Sequence, residues 1–126
     1  MKINHIGIVV KDIEKSKQLY SKMGYSIMTE IVEDFNQNNR IVFLQLNEYP
    51  PIELIEPLNS LSSVYNFSPG YHHICYEKDD DQDIIKLYRD MNVGKIFTKP
   101  IVAPALDNRK VVFACMRDGV FVELII

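Results

Sequence analysis

The sequence contains one motif written twice, and this repeat constrains the fold more than any other feature. Four stretches of the first half recur 68 positions later without a gap: His5-Ile6 as His73-Ile74, Asp12 as Asp80, Leu19-Tyr20 as Leu87-Tyr88, and Met23 as Met91. The match resumes 70 positions apart, where Arg40-Ile41-Val42-Phe43 aligns with Lys110-Val111-Val112-Phe113 and Ile52-Glu53-Leu54-Ile55 with Val122-Glu123-Leu124-Ile125. A repeated unit of this kind buries its apolar face against its copy. We therefore expect two pseudo-symmetric halves that share one core.

The length and composition favour a single soluble domain. At 126 residues, with 47% hydrophobic and 25% charged residues, the chain is too short for two independent domains and has an ordinary globular composition. Its net charge of −3, without a basic patch, argues against a nucleic-acid or membrane-surface partner. Neither a secretory signal nor a membrane-spanning run is visible, which predicts a cytoplasmic protein whose two cysteines are reduced.

Hydrophobic periodicity predicts the same order of elements, βαβββ, in each half. In module 1 (residues 1–57) the predicted strands are 3–10, 25–32, 40–46 and 52–56, with a helix from the N-cap Asp12 to Gly24 and a polar loop at 33–39. After a connector, 58–70, module 2 (71–126) has predicted strands 71–77, 96–102, 109–117 and 120–126, and a helix at about 80–91 capped by the run Asp79-Asp80-Asp81. The predicted class is α+β, with the two βαβββ modules forming one curved eight-stranded mixed sheet around a cleft and the helices outside.

Each half places one histidine and one glutamate on the strand face that points away from its helix. Because side chains alternate across a strand, His5, Glu53, His73 and Glu123 point to the cleft, and His72 points to the opposite face from His73. Burying two carboxylates is costly without a compensating cation. Two imidazoles and two carboxylates are typical ligands of a divalent transition metal, so these four residues predict a metal-binding cleft.

Each of these residues also has an ordinary explanation when it is taken singly. A lone strand histidine is more often a hydrogen-bonded core residue, and Glu123 could pair with Arg109 or Arg40. The duplication of a His-and-Glu pair at matched strand positions favours the metal site over these separate explanations.

The repeated motifs resemble those of the vicinal oxygen chelate superfamily, which includes glyoxalase I, methylmalonyl-CoA epimerase, extradiol dioxygenases and the fosfomycin and bleomycin resistance proteins. The residues that carry the resemblance cover nearly the whole chain: Ile3-Asn4-His5-Ile6-Gly7-Ile8-Val9-Val10-Lys11-Asp12 with the helix to Gly24-Tyr25, Ile52-Glu53-Leu54-Ile55-Glu56-Pro57, His72-His73-Ile74-Cys75-Tyr76, and Gly119-Val120-Phe121-Val122-Glu123-Leu124-Ile125. The resemblance implies metal ligation by His5, Glu53, His73 and Glu123, one divalent metal (Ni, Co, Zn, Mn or Fe), a small-molecule substrate and a homodimer.

The resemblance also implies three candidate functions. The first is a metal-dependent lyase or isomerase of the glyoxalase I (lactoylglutathione lyase) type, whose ligand set is similar to the two histidines and two glutamates here. Such an enzyme moves a proton next to a chelated carbonyl of a hemithioacetal, with Glu123 as the catalytic base and Glu53 as its pseudo-symmetric alternate. The alternatives are an acyl-thioester epimerase similar to methylmalonyl-CoA epimerase and a non-catalytic small-molecule binding or resistance protein. Epimerases of this family use a second base from the third strand, and here residues 40–46 contain no acid.

Five further residues are candidates for substrate binding. The segment 100–110 carries two prolines and ends in two adjacent cations, as loops that close a binding site often do. Arg109 could bind a substrate carboxylate or phosphate, or it could merely solvate a strand end. The candidate substrate-binding residues are Arg109, Lys110, Arg40, Gln45 and Phe43.

Overall fold

A computed structural model describes residues 1–126 as two α-helices and ten strands. The first half contains β1 (Lys2–Val9), α1 (Ile13–Lys22), β2 (Ser26–Ile27), β3 (Val32–Asp34), β4 (Asn39–Gln45) and β5 (Ile52–Pro57). The second half contains β6 (Gly70–Glu77), α2 (Ile84–Met91), β7 (Gly94–Ile96), β8 (Ile101–Ala103), a short 3-10 helix (Pro104–Leu106), β9 (Arg109–Met116) and β10 (Phe121–Ile125). The α+β class and the repeated order of elements are confirmed.

All ten strands belong to one open mixed sheet. Eight of them lie in the order β2-β4-β5-β1-β6-β10-β9-β7, while β3 pairs with β4 and β8 pairs with β9. β1 is antiparallel to β6, and each of these strands also pairs in parallel with the last strand of its own module, β1 with β5 and β6 with β10. The pseudo-twofold axis therefore passes between β1 and β6, at the centre of the sheet.

Two of the eight predicted strands are each divided into two shorter strands. The second predicted strand of module 1 forms β2 and β3, and its counterpart in module 2 forms β7 and β8. At each break a threonine hydroxyl takes the place of a backbone acceptor, because Phe43 N donates to Thr29 Oγ1 (3.1 Å) and Phe113 N donates to Thr98 Oγ1 (2.9 Å). A side-chain acceptor interrupts the ladder, which explains why the sheet has ten strands and not eight.

Both helices begin at an aspartate N-cap, but α2 begins later than predicted. Asp12 accepts a hydrogen bond from the first turn of α1, and Asp83 accepts the equivalent bond at α2. The predicted cap at 79–81 is therefore wrong, and Asp79 instead pairs with the N-terminal amino group at 2.7 Å. The buried face of α2 starts at Ile84, so packing against the sheet sets the start of the helix.

The helices cover one face of the sheet, and the concave face encloses a separate core. α1 packs against module 1 through a cluster of Val10, Ile13, Val42, Leu44, Ile52 and Leu54. α2 packs against module 2 through the equivalent cluster of Ile84, Tyr88, Val112, Ala114, Val122 and Leu124. The concave core joins both modules. It is formed by strand residues that alternate with the helix-facing ones and so point to the other face of the sheet, including Ile41, Phe43, Ile55, Val111 and Ile125. Neither helix is long and apolar enough to cross a bilayer.

Candidate metal centre

Four buried polar side chains converge where the two modules meet. His5 lies on β1, Glu53 on β5, His73 on β6 and Glu123 on β10, which are the four central strands of the sheet. None of the four is more than 5% exposed. One ligand atom from each residue lies within 4.8 Å of the other three. The pseudo-twofold axis thus brings equivalent residues of both modules into one cluster.

The shortest contacts in this cluster join imidazole nitrogens and carboxylate oxygens. His73 Nε2 lies 2.8 Å from Glu123 Oε2, and His5 Nε2 lies 3.5 Å from the same oxygen. Glu53 Oε1 is 3.7 Å from His5 Nε2 and 3.8 Å from His73 Nε2. The two Nε2 atoms are 3.3 Å apart. Both imidazoles therefore direct the same ring nitrogen to the space between the carboxylates, as two ligands of one ion do.

The donor set fits a divalent metal, because no lysine or arginine compensates the two buried carboxylates. Burial, followed by the charge of Glu123, raises the pKa of Glu53. Burial also acts to raise the pKa of Glu123, but hydrogen bonds with His5 and His73 outweigh it and lower that pKa. The pair therefore resists carrying two negative charges, and a divalent cation would remove this conflict. Imidazole and carboxylate ligands suit Ni, Co, Zn, Mn and Fe.

A chain of hydrogen bonds supports His5 on the side away from the cluster. His5 Nδ1 lies 2.8 Å from Asn4 Oδ1, and Asn4 Nδ2 donates to Glu77 Oε2 at 3.0 Å. Arg109 Nη1 donates to the same Glu77 oxygen at 3.1 Å. Because the Asn4 amide nitrogen donates to Glu77, the Asn4 amide oxygen is the atom that faces His5, and it accepts from His5 Nδ1–H. This bond leaves the lone pair of His5 on Nε2, where it faces the cluster.

His72 lies beside His73, contrary to the prediction from strict alternation. The β1–β6 pairing contains two bulges, with Asn4 as the extra residue on β1 and His72 as the extra residue on β6. A bulge re-aims its side chain, and here His72 Nδ1 lies 2.8 Å from His73 Nδ1. Burial, with a smaller contribution from His73, lowers the pKa of His72 to about 4, so the ring is neutral near pH 7. The alignment of His72 with Asn4 in the repeat was the sequence signal for this position.

Small residues opposite the two candidate histidine ligands make room for their rings. Across β1 and β6, Gly7 pairs with His73 and Cys75 pairs with His5. A Cβ added at Gly7 would lie 2.2 Å from His73 Cε1. The repeat aligns Gly7 with Cys75, so each module keeps a small residue at the same point.

Two adjoining cavities lead to the cluster. The metal-side cavity, of about 20 Å³, is lined by Glu53, His73 and Glu123 among others. The aromatic cavity, of about 290 Å³, is lined by Phe67, Phe97, Phe113, Phe121 and His72, with several polar residues. Both cavities share Gln37, Ser63, His72 and Phe113 as lining residues. No lysine or arginine lines either cavity.

The five predicted substrate-binding residues lie outside both cavities. Phe43 packs edge-on against His5, with ring centroids 5.0 Å apart. Each of the two arginines pairs with a carboxylate: Arg40 with Glu56 on the neighbouring strand β5 (3.5 Å), and Arg109 with Glu77 at the end of β6 (3.1 Å). Of the two remaining polar residues, Gln45 Nε2 donates to Tyr49 O (3.4 Å) and Lys110 is exposed. The segment 100–110 does reach the metal-side cavity, through Ala103, Ala105 and Leu106.

Asp34 is a further carboxylate on the cavity wall, which the sequence pattern did not reveal. It is fully buried on β3 and lines the metal-side cavity together with Glu53 and Glu123. Its Oδ1 accepts from the backbone nitrogens of Asn36 (2.8 Å) and Gln37 (3.1 Å), and its Oδ2 accepts from the Gln37 amide (3.4 Å). The sequence placed Asp34 in a polar loop, where aspartates are common, so only its tertiary position distinguishes it.

Comparisons with known proteins agree with this fold. A family model described as the Glyoxalase/Bleomycin resistance protein/Dioxygenase superfamily matches residues 4–125. The chain is 32% identical over 130 residues to the mitochondrial methylmalonyl-CoA epimerase of Dictyostelium discoideum, a match that covers 98% of this chain and 76% of that protein.

Solved structures of epimerases share the fold. The methylmalonyl-CoA epimerase of Mycobacterium tuberculosis superimposes with a TM-score of 0.81 at 21% identity, covering 98% of this chain and 85% of that chain. A variant of the Streptomyces coelicolor enzyme in complex with 2-nitronate-propionyl-CoA gives 0.81 at 23% identity, covering 99% and 96%. The family match over nearly the whole length, together with these structures, assigns the chain to a superfamily. It belongs to the Glyoxalase/Bleomycin resistance protein/Dioxygenase superfamily, the vicinal oxygen chelate superfamily that the repeated motifs resemble.

Proposed function

We propose that this protein is a metal-dependent epimerase that inverts the α-carbon of an acyl-CoA thioester, with methylmalonyl-CoA as the first substrate to test. One observation carries the proposal: a buried cluster of two histidines and two glutamates adjoins an open cavity, in a chain 32% identical to an epimerase over 98% of its length. Relatives with the epimerase name favour this function over the glyoxalase I type that the ligand set first suggested.

The proposed role of the cluster is to hold one divalent metal, which makes the α-proton of the substrate more acidic. His5, Glu53, His73 and Glu123 would hold the metal, which would supply Lewis-acid polarisation of the thioester carbonyl and so make the neighbouring C–H bond easier to ionise. The four ligands come from four adjacent strands of one sheet, so their spacing is rigid.

Glu123 is the proposed base, and Glu53 is the proposed partner that returns a proton. Glu123 takes the proton from the α-carbon, and the electron pair of that C–H bond moves into the thioester carbonyl. Glu53, protonated and not coordinating the metal at this step, then donates its proton to the opposite face of the same carbon, where the returning electron pair forms the new bond. The two glutamates lie on β5 and β10, on opposite sides of the pseudo-twofold axis, and this arrangement supports a proposal in which a carbon bound between them has one carboxylate on each side. Exchange with solvent restores both carboxyl groups.

The aromatic cavity is the proposed site for an uncharged part of the acyl-CoA. Its walls carry four phenylalanines and no cation, and its volume of about 290 Å³ accommodates a short chain. Walls of this kind exclude water, which protects a deprotonated substrate from unwanted proton transfer. A free carboxylate of the substrate would therefore lie at the metal cluster and not in the aromatic cavity.

The direct test is exchange of the substrate's α-proton. The metal-loaded protein is incubated with methylmalonyl-CoA in D₂O, and loss of the α-proton signal is followed by NMR, with the hemithioacetal of methylglyoxal and glutathione assayed in parallel. We expect rapid exchange with the thioester and no turnover of the hemithioacetal. Turnover of the hemithioacetal alone would instead support the glyoxalase I type. Inactivity on both compounds would refute the proposal for methylmalonyl-CoA.

Glu123→Gln tests the proposed base within the same assay. We expect the variant to lose at least about 100-fold in rate, the typical contribution of a positioned acid–base group, while it still binds metal. Glu56→Gln is the matched control, because Glu56 lies on β5 but points to Arg40 on the side away from the cluster. Equal rates for Glu123→Gln and the wild type would remove Glu123 as the base.

A further inference from the structure

His72 and Asn4 occupy equivalent bulges, yet they support their histidine neighbours in chemically different ways. Each lies 2.8 Å from the Nδ1 atom of the residue that follows it. Asn4 can only accept a hydrogen bond from His5, because its amide nitrogen already donates to Glu77. A pair of imidazoles can place the shared proton on either ring. The hydrogen bond between His72 and His73 can therefore reverse its direction, whereas His5 Nδ1 always donates to Asn4 Oδ1.

The contacts of His73 define the two possible arrangements of that proton. In one arrangement His73 carries its proton on Nε2 and donates to Glu123 Oε2, 2.8 Å away, while its Nδ1 accepts from His72 Nδ1–H. In the other arrangement the lone pair is on His73 Nε2, and His73 Nδ1–H donates to His72 Nδ1. Each ring is neutral in both arrangements, so neither ring gains or loses a charge. A metal on His73 Nε2 is compatible only with the second arrangement.

The free nitrogen of His72 changes character with this choice. In the first arrangement His72 Nε2 is an acceptor, and in the second it carries a proton and is a donor. The His72 side chain makes no hydrogen bond other than the one to His73, and its ring lines both cavities. Phe67 contacts the ring edge-on at 4.6 Å between centroids, and Phe121 stacks on it at 5.8 Å. The ring is thus fixed in place with one nitrogen left for a ligand.

We propose that a metal bound at His73 determines, through His72, whether an N–H donor is available to the bound ligand. When a metal takes the lone pair of His73 Nε2, the proton of that nitrogen leaves to solvent and the shared proton moves from His72 Nδ1 to His73 Nδ1. Solvent then returns one proton to His72 Nε2, so both rings stay neutral. His72 Nε2 becomes an N–H donor on a ring that lines both cavities, and this donor binds an oxygen of the ligand. The ligand's identity as an acyl-CoA rests on the proposed function, whereas the coupling of metal and tautomer does not. A cavity without lysine or arginine has few strong donors, so one N–H has a large effect on how a carbonyl oxygen is oriented.

Nitrogen NMR tests the coupling directly. The chain contains three histidines, two in the cluster and His72 beside it, so protein labelled with ¹⁵N-histidine gives six ring-nitrogen signals. His72→Asn identifies the His72 pair by its disappearance. With Zn²⁺ bound we expect His72 to carry its proton on Nε2 and to accept at Nδ1, and removal of Zn²⁺ is expected to return the proton to Nδ1. A His72 that keeps Nδ1–H with Zn²⁺ bound, or whose tautomer ignores the metal, overturns the proposal.

Metal affinity separates the positioning role from general packing. His72→Asn copies the arrangement at Asn4, because an amide oxygen can accept from His73 Nδ1–H, while His72→Phe keeps the stacked ring and has no acceptor. We expect chelator competition to give wild-type Zn²⁺ affinity for His72→Asn and about 10–100-fold weaker affinity for His72→Phe, the usual cost of losing an outer-shell partner. Equal affinity of the two variants would exclude the positioning role.

Ligand binding tests the donor. The probe is 2-nitronate-propionyl-CoA, measured by calorimetry against Zn²⁺-loaded wild type and Zn²⁺-loaded His72→Asn, each at saturating metal. We expect at least about tenfold weaker binding by the variant, as for the loss of one hydrogen bond to a polar group. Unchanged binding by His72→Asn overturns the donor role. If the wild type does not bind the probe, the acyl-CoA function fails while the tautomer result remains valid on its own measurement.

Discussion

Gly7 is the position where a single methyl group most directly tests the geometry of the candidate metal centre. A Cβ built on Gly7 would lie 2.2 Å from His73 Cε1, 2.4 Å from Nδ1 and 2.8 Å from Nε2. Ordinary contact begins at 3.4 Å, so the ring would have to move by at least the difference from 2.2 Å, which is 1.2 Å. The backbone of Gly7 does not have a positive φ, so alanine is excluded by the ring and not by the conformation of the chain.

The His73 ring has little freedom to make this movement. It is 1% exposed, its Nδ1 shares a hydrogen bond with His72 Nδ1, and its Nε2 lies 2.8 Å from Glu123 Oε2. Forcing an extra methyl group into a packed interior costs about 1–3 kcal/mol. Metal ligands tolerate displacements of only about 0.2 Å, so we also expect Gly7→Ala to weaken Zn²⁺ binding by at least about 100-fold.

A double-mutant cycle isolates the predicted clash. Denaturant unfolding of the metal-free wild type, Gly7→Ala, His73→Ala and the double variant gives the coupling between the two positions. We expect Gly7→Ala to cost about 1–3 kcal/mol in the wild type and close to nothing once the imidazole is removed. The same cost in both backgrounds would refute the steric argument and would place the effect of the methyl group in the strand itself.

Three further substitutions test other contacts of the site and core. Asn4→Leu removes the acceptor of His5 Nδ1–H, so we expect Zn²⁺ affinity by chelator competition to fall about 10–100-fold; an unaffected leucine variant would contradict this. Asp34→Ala removes the acceptor of the part-buried Asn36 and Gln37 donors and should lower the free energy of unfolding by about 1 kcal/mol in urea, whereas Asp34→Asn retains an acceptor and should cost less; equal costs would contradict the hydrogen-bond account. Tyr88 has a buried hydroxyl without a partner, so Tyr88→Phe should be neutral or stabilising by up to about 1 kcal/mol in thermal unfolding; a clear loss would reveal a missing hydrogen bond.

The repeat allowed the sequence to predict the fold class and the cluster. Aligning the halves identified equivalent strands, and alternation along β5 and β10 put both glutamates on the concave face, where the structure has them. Alternation is a local property of an extended chain, so it survives without knowledge of the partner strand. Whether the cluster holds a metal stays a prediction, to be measured on the purified protein.

Residues that depend on a partner strand were not predictable in this way. His72 and Asn4 turn towards their neighbours because β1 and β6 each carry one extra residue in their pairing, and a bulge exists only when two strands are aligned. The split of two predicted strands likewise depends on threonine hydroxyls that reach the strand beside them. The sequence offered Arg40 and Arg109 as candidates for substrate binding, yet Arg40 pairs with Glu56 on β5 and Arg109 with Glu77 on β6.

The sequence by itself determined the repeated module, the α+β class and the four residues that converge on the pseudo-twofold axis, because each follows from spacing along one strand or from one copy matching the other. Only the tertiary structure decided the surroundings of those four residues: the paired imidazoles of His72 and His73, the buried Asp34 and the aromatic cavity. These surroundings are made by segments distant in the chain, and their positions are set by strand pairing and core packing across the two modules, which no local pattern encodes.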